Sequence, residues 1–232
     1  MNTEEKYNYQ HFDPKDYDFI NFKGPKAGEP YIDFMAQTLD EKEVYLSDYL
    51  DKSIVLETGS ITCPMYANTT TPMNELQKLY PSIHFLLLYV REAHPGKRTK
   101  GVSTIEEKLS NANSTRKFYN ESREVLVDDL EGTAHKLYGS MPNMTYLIGT
   151  DGMVKFRANW SNVEKLKEVL KNIESNPIET QDYFEVIKPS PYVAIRTLLI
   201  GGFGALYEFV TGLPQLLRQH KEADEVRKNN SH

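Results

Sequence analysis

The pattern of apolar and polar positions predicts alternating short strands and helices over residues 28–175. Two apolar runs, 53–58 and 83–90, are nearly continuous, which is typical of buried strands in a parallel sheet. Between them, residues 66–80 repeat apolar positions at helical spacing, and Pro81 ends the predicted helix. The middle of the chain therefore begins with a strand, a helix and a second strand.

The rest of this region continues the alternation, with turn residues between the elements. The further predicted elements are short strands at 31–34 and 44–46, a polar helix within 95–122, a strand at 125–128, a helix at 133–138, a hairpin over 145–156 with an Asp-Gly turn, and an amphipathic helix at 163–173. This order is the plan of the thioredoxin fold. It predicts a three-layer α/β/α sandwich.

Two extensions flank the predicted domain. Residues 1–27 are acidic and aromatic and are expected to form an N-terminal extension, whereas residues 176–232 are expected to form a C-terminal helical segment with a charged tail. Within that segment, residues 192–217 are apolar and Gly-rich, but two charged residues interrupt them before they reach the length of a membrane span. The stretch is therefore a candidate for docking on a membrane surface or a partner.

Composition narrows the classes of function. The hydrophobic share of 39% is enough for a packed core, and the net charge of −6 argues against a general nucleic-acid binder. A single cysteine excludes an internal disulfide and fits a reducing compartment. The first twelve residues are polar and lack the apolar region of a signal peptide, so a soluble, cytoplasmic protein is expected.

That cysteine, Cys63, lies in the loop between a central strand and the next helix, where a thioredoxin-like fold is expected to carry its reactive residue. It follows the strand at 53–58, and Pro64 is well suited to the first turn of the next helix. Unpaired N–H groups at a helix N-terminus stabilise an anion, so a lowered pKa and a nucleophilic thiolate are predicted. The alternative is a structural cysteine in the core. No Cys-x-x-Cys motif is present, so an external thiol must act as reductant; no bound cofactor is expected.

A second candidate feature precedes the strand at 145–148. Thioredoxin-like folds carry a cis-proline at this place, close to the reactive thiol. Pro142 is therefore predicted to be cis and, with Met141, to contact the substrate. The alternative is an ordinary trans proline in a turn.

Two short motifs carry a more specific resemblance. Residues 59–64 read Gly-Ser-Ile-Thr-Cys-Pro, and residues 89–95 read Tyr-Val-Arg-Glu-Ala-His-Pro. Together they resemble the iodothyronine deiodinase family, which has a thioredoxin-like fold and a Gly-Ser-x-Thr-selenocysteine-Pro signature. The resemblance extends loosely over 28–170 and is sharp at these motifs.

The resemblance implies roles for six residues. Cys63 stands where the family has selenocysteine, and Ser60 and Thr62 match its hydroxyl neighbours. The other three match the residues proposed to relay a proton to the reacting carbon: Tyr89, Glu92 and His94.

These residue types also suit reductive dehalogenation without reference to the family. Reductive dehalogenation needs a soft nucleophile and an acid for the carbon, and a histidine backed by a carboxylate supplies that acid. The alternatives are a solvated loop residue for His94 and ordinary strand-end residues for Tyr89 and Glu92.

The sequence also departs from the family. Sulfur replaces selenium, which predicts a slower nucleophile with a higher pKa than the selenol. The family's second histidine is missing near Val102 or Ser103, and Arg157 does not clearly match the arginine of its Gly-Gly-Arg-Gly-Pro loop. In the family, that histidine and that arginine belong to the clamp that holds the iodothyronine. The substrate is therefore left open between a halogenated aromatic compound and another small electrophile.

Other functions compete with this one. A one-cysteine thiol peroxidase would reduce a peroxide through a sulfenic acid; Ser60 fits the hydroxyl three residues before the thiol, but the proline that precedes it in peroxiredoxins is missing. A non-catalytic binding module would dock a partner through residues 176–232. The expected partners of an enzyme are a small electrophile and a reductant such as thioredoxin or glutathione. Family members tend to pair, so a homodimer is implied.

No metal site is predicted, because the six histidines lack ligand spacing. His84 lies in an apolar strand and is interpreted as a core histidine.

Overall fold

The structure is a computed structural model that describes residues 7–171, 181–183 and 185–230. In these residues eight strands form one mixed sheet. The strands are β1 (Met35–Thr38), β2 (Glu43–Tyr45), β3 (Ser53–Gly59), β4 (Ile83–Tyr89), β5 (Glu124–Val127), β6 (Thr145–Ile148), β7 (Val154–Ala158) and β8 (Gln181–Tyr183). Their order across the sheet is β2-β1-β5-β4-β3-β6-β7-β8.

The centre of the sheet is parallel. The two buried runs, β3 and β4, pair in parallel, and β4 continues the parallel pairing with β5. β6 runs antiparallel to β3 on the other side. Parallel neighbours need a crossover connection, and helices supply it here.

Helices cover both faces of the sheet. The α-helices are α1 (Pro64–Leu79), α2 (Ile105–Tyr119), α3 (Thr133–Leu137), α4 (Val163–Lys171), α5 (Pro191–Gly201) and α6 (Phe203–Asn230); 3-10 turns lie at Pro14–Asp16 and Leu46–Tyr49. Side chains alternate across each strand. On β3, Val55 packs against α1 and α4, whereas Ile54 and Leu56 join a cluster with α3 and the N-terminal segment. The predicted α/β/α layering is confirmed.

Some boundaries differ from the sequence prediction. The predicted strand at 31–34 lies later, at Met35–Thr38. The polar helix is shorter than the predicted region because Thr104 caps its N-terminus, its hydroxyl accepting the N–H of Glu107, and Asn120 ends it in the left-handed conformation. For the helix predicted at 163–173, the last two residues lie outside the described residues.

The apolar stretch 192–217 is not one helix. It is divided between α5 and α6 at Gly202, whose φ of 108° is unfavourable for any residue with a side chain. α5 packs against α1, and α6 packs against the N-terminal segment. Among the described helices, none combines the length and hydropathy needed to cross a bilayer.

Candidate active site

Cys63 lies where β3 passes into α1, at the N-cap of the helix. Its backbone is fixed on both sides: the Cys63 N–H donates to the Ser60 carbonyl at 3.0 Å, and its own carbonyl accepts the N–H of Ala67 at 3.0 Å. Pro64 occupies the first helical position. The placement of the thiol at a helix N-terminus thus agrees with the sequence interpretation.

The pKa of the thiol does not agree with the sequence prediction. Burial raises the pKa of Cys63 to about 12, and the Glu57 and Glu92 carboxylates act in the same direction. The backbone N–H groups of Met65 and Tyr66 lower the pKa, but by less than burial raises it. The prediction of a lowered pKa is therefore wrong, because the side chain is only 1% exposed.

The two sequence motifs meet through buried hydrogen bonds. Thr62 Oγ1 donates to Glu92 Oε2 at 2.7 Å and accepts the backbone N–H of His94 at 3.1 Å. Ser60 Oγ accepts the backbone N–H of Ala93 at 3.1 Å. The hydroxyls of the cysteine loop therefore hold the segment that carries His94.

Tyr89 and Glu92 lie behind the cysteine loop. The Tyr89 hydroxyl donates to Glu92 Oε1 at 2.5 Å and accepts the Ile61 N–H at 3.2 Å. Asn111 on α2 donates to the same carboxylate at 3.2 Å, and no motif in the sequence predicts this contact. Burial raises the pKa of Glu92, and the donors around it oppose that rise. Neither Tyr89 nor Glu92 is among the residues that line the cavity beside the thiol.

His94 is held by packing. Its ring lies 4.3 Å from the ring centre of Phe12 and 5.3 Å from that of Phe209. Nδ1 is buried without a hydrogen-bond partner among the described residues, and burial lowers the pKa of His94 to about 3. The alternative of a solvated loop residue is thereby excluded. The expected contact between the imidazole and the Glu92 carboxylate is also absent from the described contacts, because Glu92 reaches His94 only through Thr62 and the backbone.

An apolar cavity of about 530 Å³ adjoins the thiol and the imidazole. The thioredoxin-like region and both extensions contribute to its walls. The lining residues are Phe12, Tyr17 and Phe19 from the N-terminal segment; Cys63, Pro64, Met65, Ala93, His94, Pro142 and Trp160 from the central region; and Val186, Lys188, Pro189, Pro191, Ala194, Phe209, Leu213, Leu216, Leu217 and His220 from the C-terminal segment.

Of the two residues predicted to contact the substrate, Met141 and Pro142, only one lines the cavity. Pro142 lines the cavity, but Met141 is buried and faces elsewhere. The described residues contain no cis peptide bond, so the cis prediction for Pro142 is wrong. The Met141 carbonyl accepts from Thr58 Oγ1 at 3.2 Å and from His135 Nε2 at 2.8 Å, and these bonds fix the orientation of the trans Met141–Pro142 peptide.

Most of the cavity wall escaped the sequence interpretation. The aromatic character of residues 1–27 was visible, but its position over Cys63 was not. Likewise, the sequence predicts a membrane or partner surface over residues 192–217, whereas Phe209, Leu213 and Leu216 of this stretch line the cavity. The available signal was the unusual aromatic density of an otherwise polar N-terminal segment.

His84 also differs from its interpretation as a core histidine. Its side chain is 28% exposed, and its Nε2 lies 2.8 Å from Asp51 Oδ1 near the start of the strand. Among the residues that the structure describes, no cluster of three or more histidine, cysteine or acidic side chains could hold a metal ion.

Comparison with known proteins identifies the fold and not the activity. No family model matches the chain, and no curated protein matches it. The solved structures that resemble it include a hypothetical protein from Sinorhizobium meliloti (TM-score 0.54, 13% identity, 71% of this chain and 90% of that one), an uncharacterized conserved protein from Geobacillus kaustophilus (0.54, 16%, 70% and 88%), and a putative thiol:disulfide interchange protein DsbE from Chlorobium tepidum (0.50, 18%, 67% and 97%). The chain has a thioredoxin-like α/β fold.

Proposed function

We propose that the protein is a thiol-dependent oxidoreductase that removes a halogen from a bulky aromatic substrate at Cys63, in the manner of the iodothyronine deiodinases it resembles. One observation carries the proposal: Cys63 and His94 line the same aromatic cavity. A nucleophile and a proton carrier at one cavity are the two groups that reductive dehalogenation needs.

The cavity favours a large apolar substrate. Its volume of about 530 Å³ lies within the usual range for small-molecule sites, and hydrogen peroxide would fill only a small part of it. Phe12, Phe19 and Trp160 offer ring faces for packing against an aromatic substrate. Lys188 is exposed and also lines the cavity, so its ammonium group suits an acidic substituent on the substrate.

The raised pKa of Cys63 and the lowered pKa of His94 assign the starting protonation states. At neutral pH the thiol is protonated and the imidazole is neutral. In the proposed reaction the sulfur attacks the halogen and the carbon–halogen bond breaks while the His94 imidazole relays the thiol proton to the carbon. The transfer is concerted, so that no separate thiolate and imidazolium form, and thiol and aryl halide become sulfenyl halide and arene.

An external thiol completes the cycle. The first equivalent displaces halide from the sulfenyl halide and forms a mixed disulfide; the second releases Cys63 and leaves as the oxidised disulfide. The chain has no second cysteine to perform this step. Thioredoxin or glutathione is the proposed reductant. A cytoplasmic location and homodimerisation stay predictions of the sequence.

The test supplies purified protein with excess dithiothreitol and, separately, an iodinated phenol, hydrogen peroxide and a small disulfide. We expect iodide release that is lost in Cys63→Ser and strongly reduced in His94→Leu. His84→Leu serves as a matched control, because that ring is partly exposed near the start of β4 and does not line the cavity. Peroxide consumption that needs Cys63 but not His94 would replace this proposal with a thiol peroxidase. Turnover of none of the three would favour a binding module.

A further inference from the structure

We propose that the C-terminal helices dock the protein on an anionic membrane surface, through a patch that we name the α5–α6 face. It comprises five exposed apolar side chains: Tyr192, Ile195, Phe203, Tyr207 and Val210. Tyr192 and Ile195 are three residues apart on α5, and the other three follow at spacings of four and three on α6, so each set shares one side of its helix.

The exposure of this patch is unusual for aromatic side chains. Tyr192 is 72% exposed, Phe203 74% and Tyr207 70%, although α5 and α6 pack against the rest of the chain by their opposite sides. Large apolar groups that gather on one surface mark an interaction site more often than isolated ones do. Tyrosine in particular suits the boundary between water and hydrocarbon, because it has an apolar ring and a polar end.

A basic loop lies directly beside this patch. The Arg98 N–H donates to the Gly201 carbonyl at 3.1 Å, and Thr99 Oγ1 donates to the Ile200 carbonyl at 3.1 Å. These bonds hold Lys97, Arg98 and Lys100 next to the junction from which Phe203 projects, and all three are exposed.

The positive charge of the loop is not neutralised by a close partner. Among the described residues, Lys97 and Lys100 form no hydrogen bond through their ammonium groups and no ion pair. Glu106 and Glu107 share a shallow cleft with Arg98 and Lys100, but lie beyond ion-pair distance. One Glu107 oxygen accepts the Ser103 N–H at 2.8 Å. The loop can therefore offer its cations to a phosphate-bearing surface.

The combination of aromatic side chains and free cations favours a lipid surface over a second copy of the chain. A twofold dimer through this face would set two surfaces of the same charge against each other, so a second copy would not complement the basic loop. On an anionic bilayer the same cations are attracted and the apolar side chains enter the headgroup region. Since no described helix could cross a bilayer, the association would be peripheral.

The test is flotation with vesicles of phosphatidylcholine and phosphatidylglycerol at 70:30, compared with pure phosphatidylcholine vesicles. It uses the full chain as Cys63→Ser, so that the result does not depend on turnover. We expect preferential binding to the anionic vesicles. Each of Lys97→Ala and Lys100→Ala should weaken it about fivefold, and Phe203→Ser with Tyr207→Ser should abolish it.

Two matched controls separate the patch from general charge and hydrophobicity. Leu79→Ser removes another exposed apolar side chain, and Lys42→Ala removes an exposed lysine at the β1–β2 turn; both should bind as the parent does. Absence of binding to anionic vesicles would overturn the proposal. So would equal losses in patch and control variants, or a dimer in sedimentation analysis that Phe203→Ser dissociates.

Discussion

Thr62 Oγ1 and Glu92 Oε2 lie 2.7 Å apart, and this hydrogen bond joins the cysteine loop to the segment after β4. Because the same hydroxyl accepts the His94 N–H, the backbone on either side of the cavity is fixed by one side chain. Through Thr62, Glu92 therefore helps to position the loop of Cys63 and the segment of His94, although Glu92 itself does not line the cavity. Its part in the structure is that of a buried acceptor for several donors.

The first prediction concerns this acceptor. Glu92→Gln keeps the shape but turns an N–H group toward the hydroxyls and amides that now donate to the carboxylate, so at least one buried donor loses its partner. We expect the free energy of unfolding to fall by roughly 1–3 kcal/mol in urea denaturation. Glu131→Gln, which changes an exposed carboxylate, should leave it almost unchanged. Equal stability of the two variants would contradict the role of Glu92 as a buried acceptor.

The second prediction concerns the thiol. With the pKa of Cys63 near 12 and an unfolded value near 8.5, alkylation by iodoacetamide at pH 8 should be on the order of a thousandfold slower in the folded protein than in urea. The rate should rise about tenfold per pH unit between pH 7 and 10. A plateau below pH 9 would show that the thiolate is already formed.

The same shift has a consequence for stability. An acid whose pKa is raised on folding stabilises the protein at pH values below its unfolded pKa. That contribution is lost as pH rises through the interval from about 8.5 to 12. Cys63→Ser should remove this part of the alkaline decline.

Much of the fold could be predicted because its signals are local. The apolar runs of β3 and β4 and the hairpin around Asp151-Gly152 depend on adjacent residues. β1 was misplaced because its four residues are not a run of buried side chains; only Ala36 is fully buried.

The cavity beside the thiol could not be predicted in the same way. Part of its wall is formed by Phe12 and Phe209, which come from distant parts of the chain and meet over His94. The two motifs do meet, through the hydrogen bond between Thr62 and Glu92, but motif spacing carries no information on burial and predicted a Glu92–His94 contact that is not among the described contacts. The cis prediction for Pro142 failed for a related reason, since position in a fold does not specify the hydrogen bonds around a turn.

The third prediction tests how α6 encloses the site. Phe209 packs against Phe12 and His94, so Phe209→Ala should open the cavity toward solvent. We expect faster alkylation of Cys63 and a loss of about 1–3 kcal/mol in the free energy of unfolding, less than for a fully buried phenylalanine. Phe203→Ala, on the same helix but 74% exposed, should change neither by much. Unchanged alkylation in Phe209→Ala would mean that other side chains enclose the thiol.

The fourth prediction concerns acid stability. Burial lowers the pKa of His94 and of His135 to about 3 in the folded protein, whereas both return to about 6.5 on unfolding. A base with a lowered folded pKa contributes stability above its unfolded pKa, and this is lost as pH falls toward the folded value. Between pH 6 and 3.5 the unfolded chain therefore binds up to two more protons at these sites, which corresponds to a slope of up to about 2.7 kcal/mol per pH unit.

One substitution distinguishes the contribution of His94 to this slope from that of His135. His94 makes no side-chain hydrogen bond among the described residues, so His94→Leu removes a titrating group without leaving a partner unpaired. His135, in contrast, bonds Tyr7 and the Met141 carbonyl and should stay in place. Urea denaturation at half-unit pH steps should show the slope reduced by about half in His94→Leu. A slope equal to that of the parent would mean that His94 is already solvated, and that the cavity beside Cys63 is open to water.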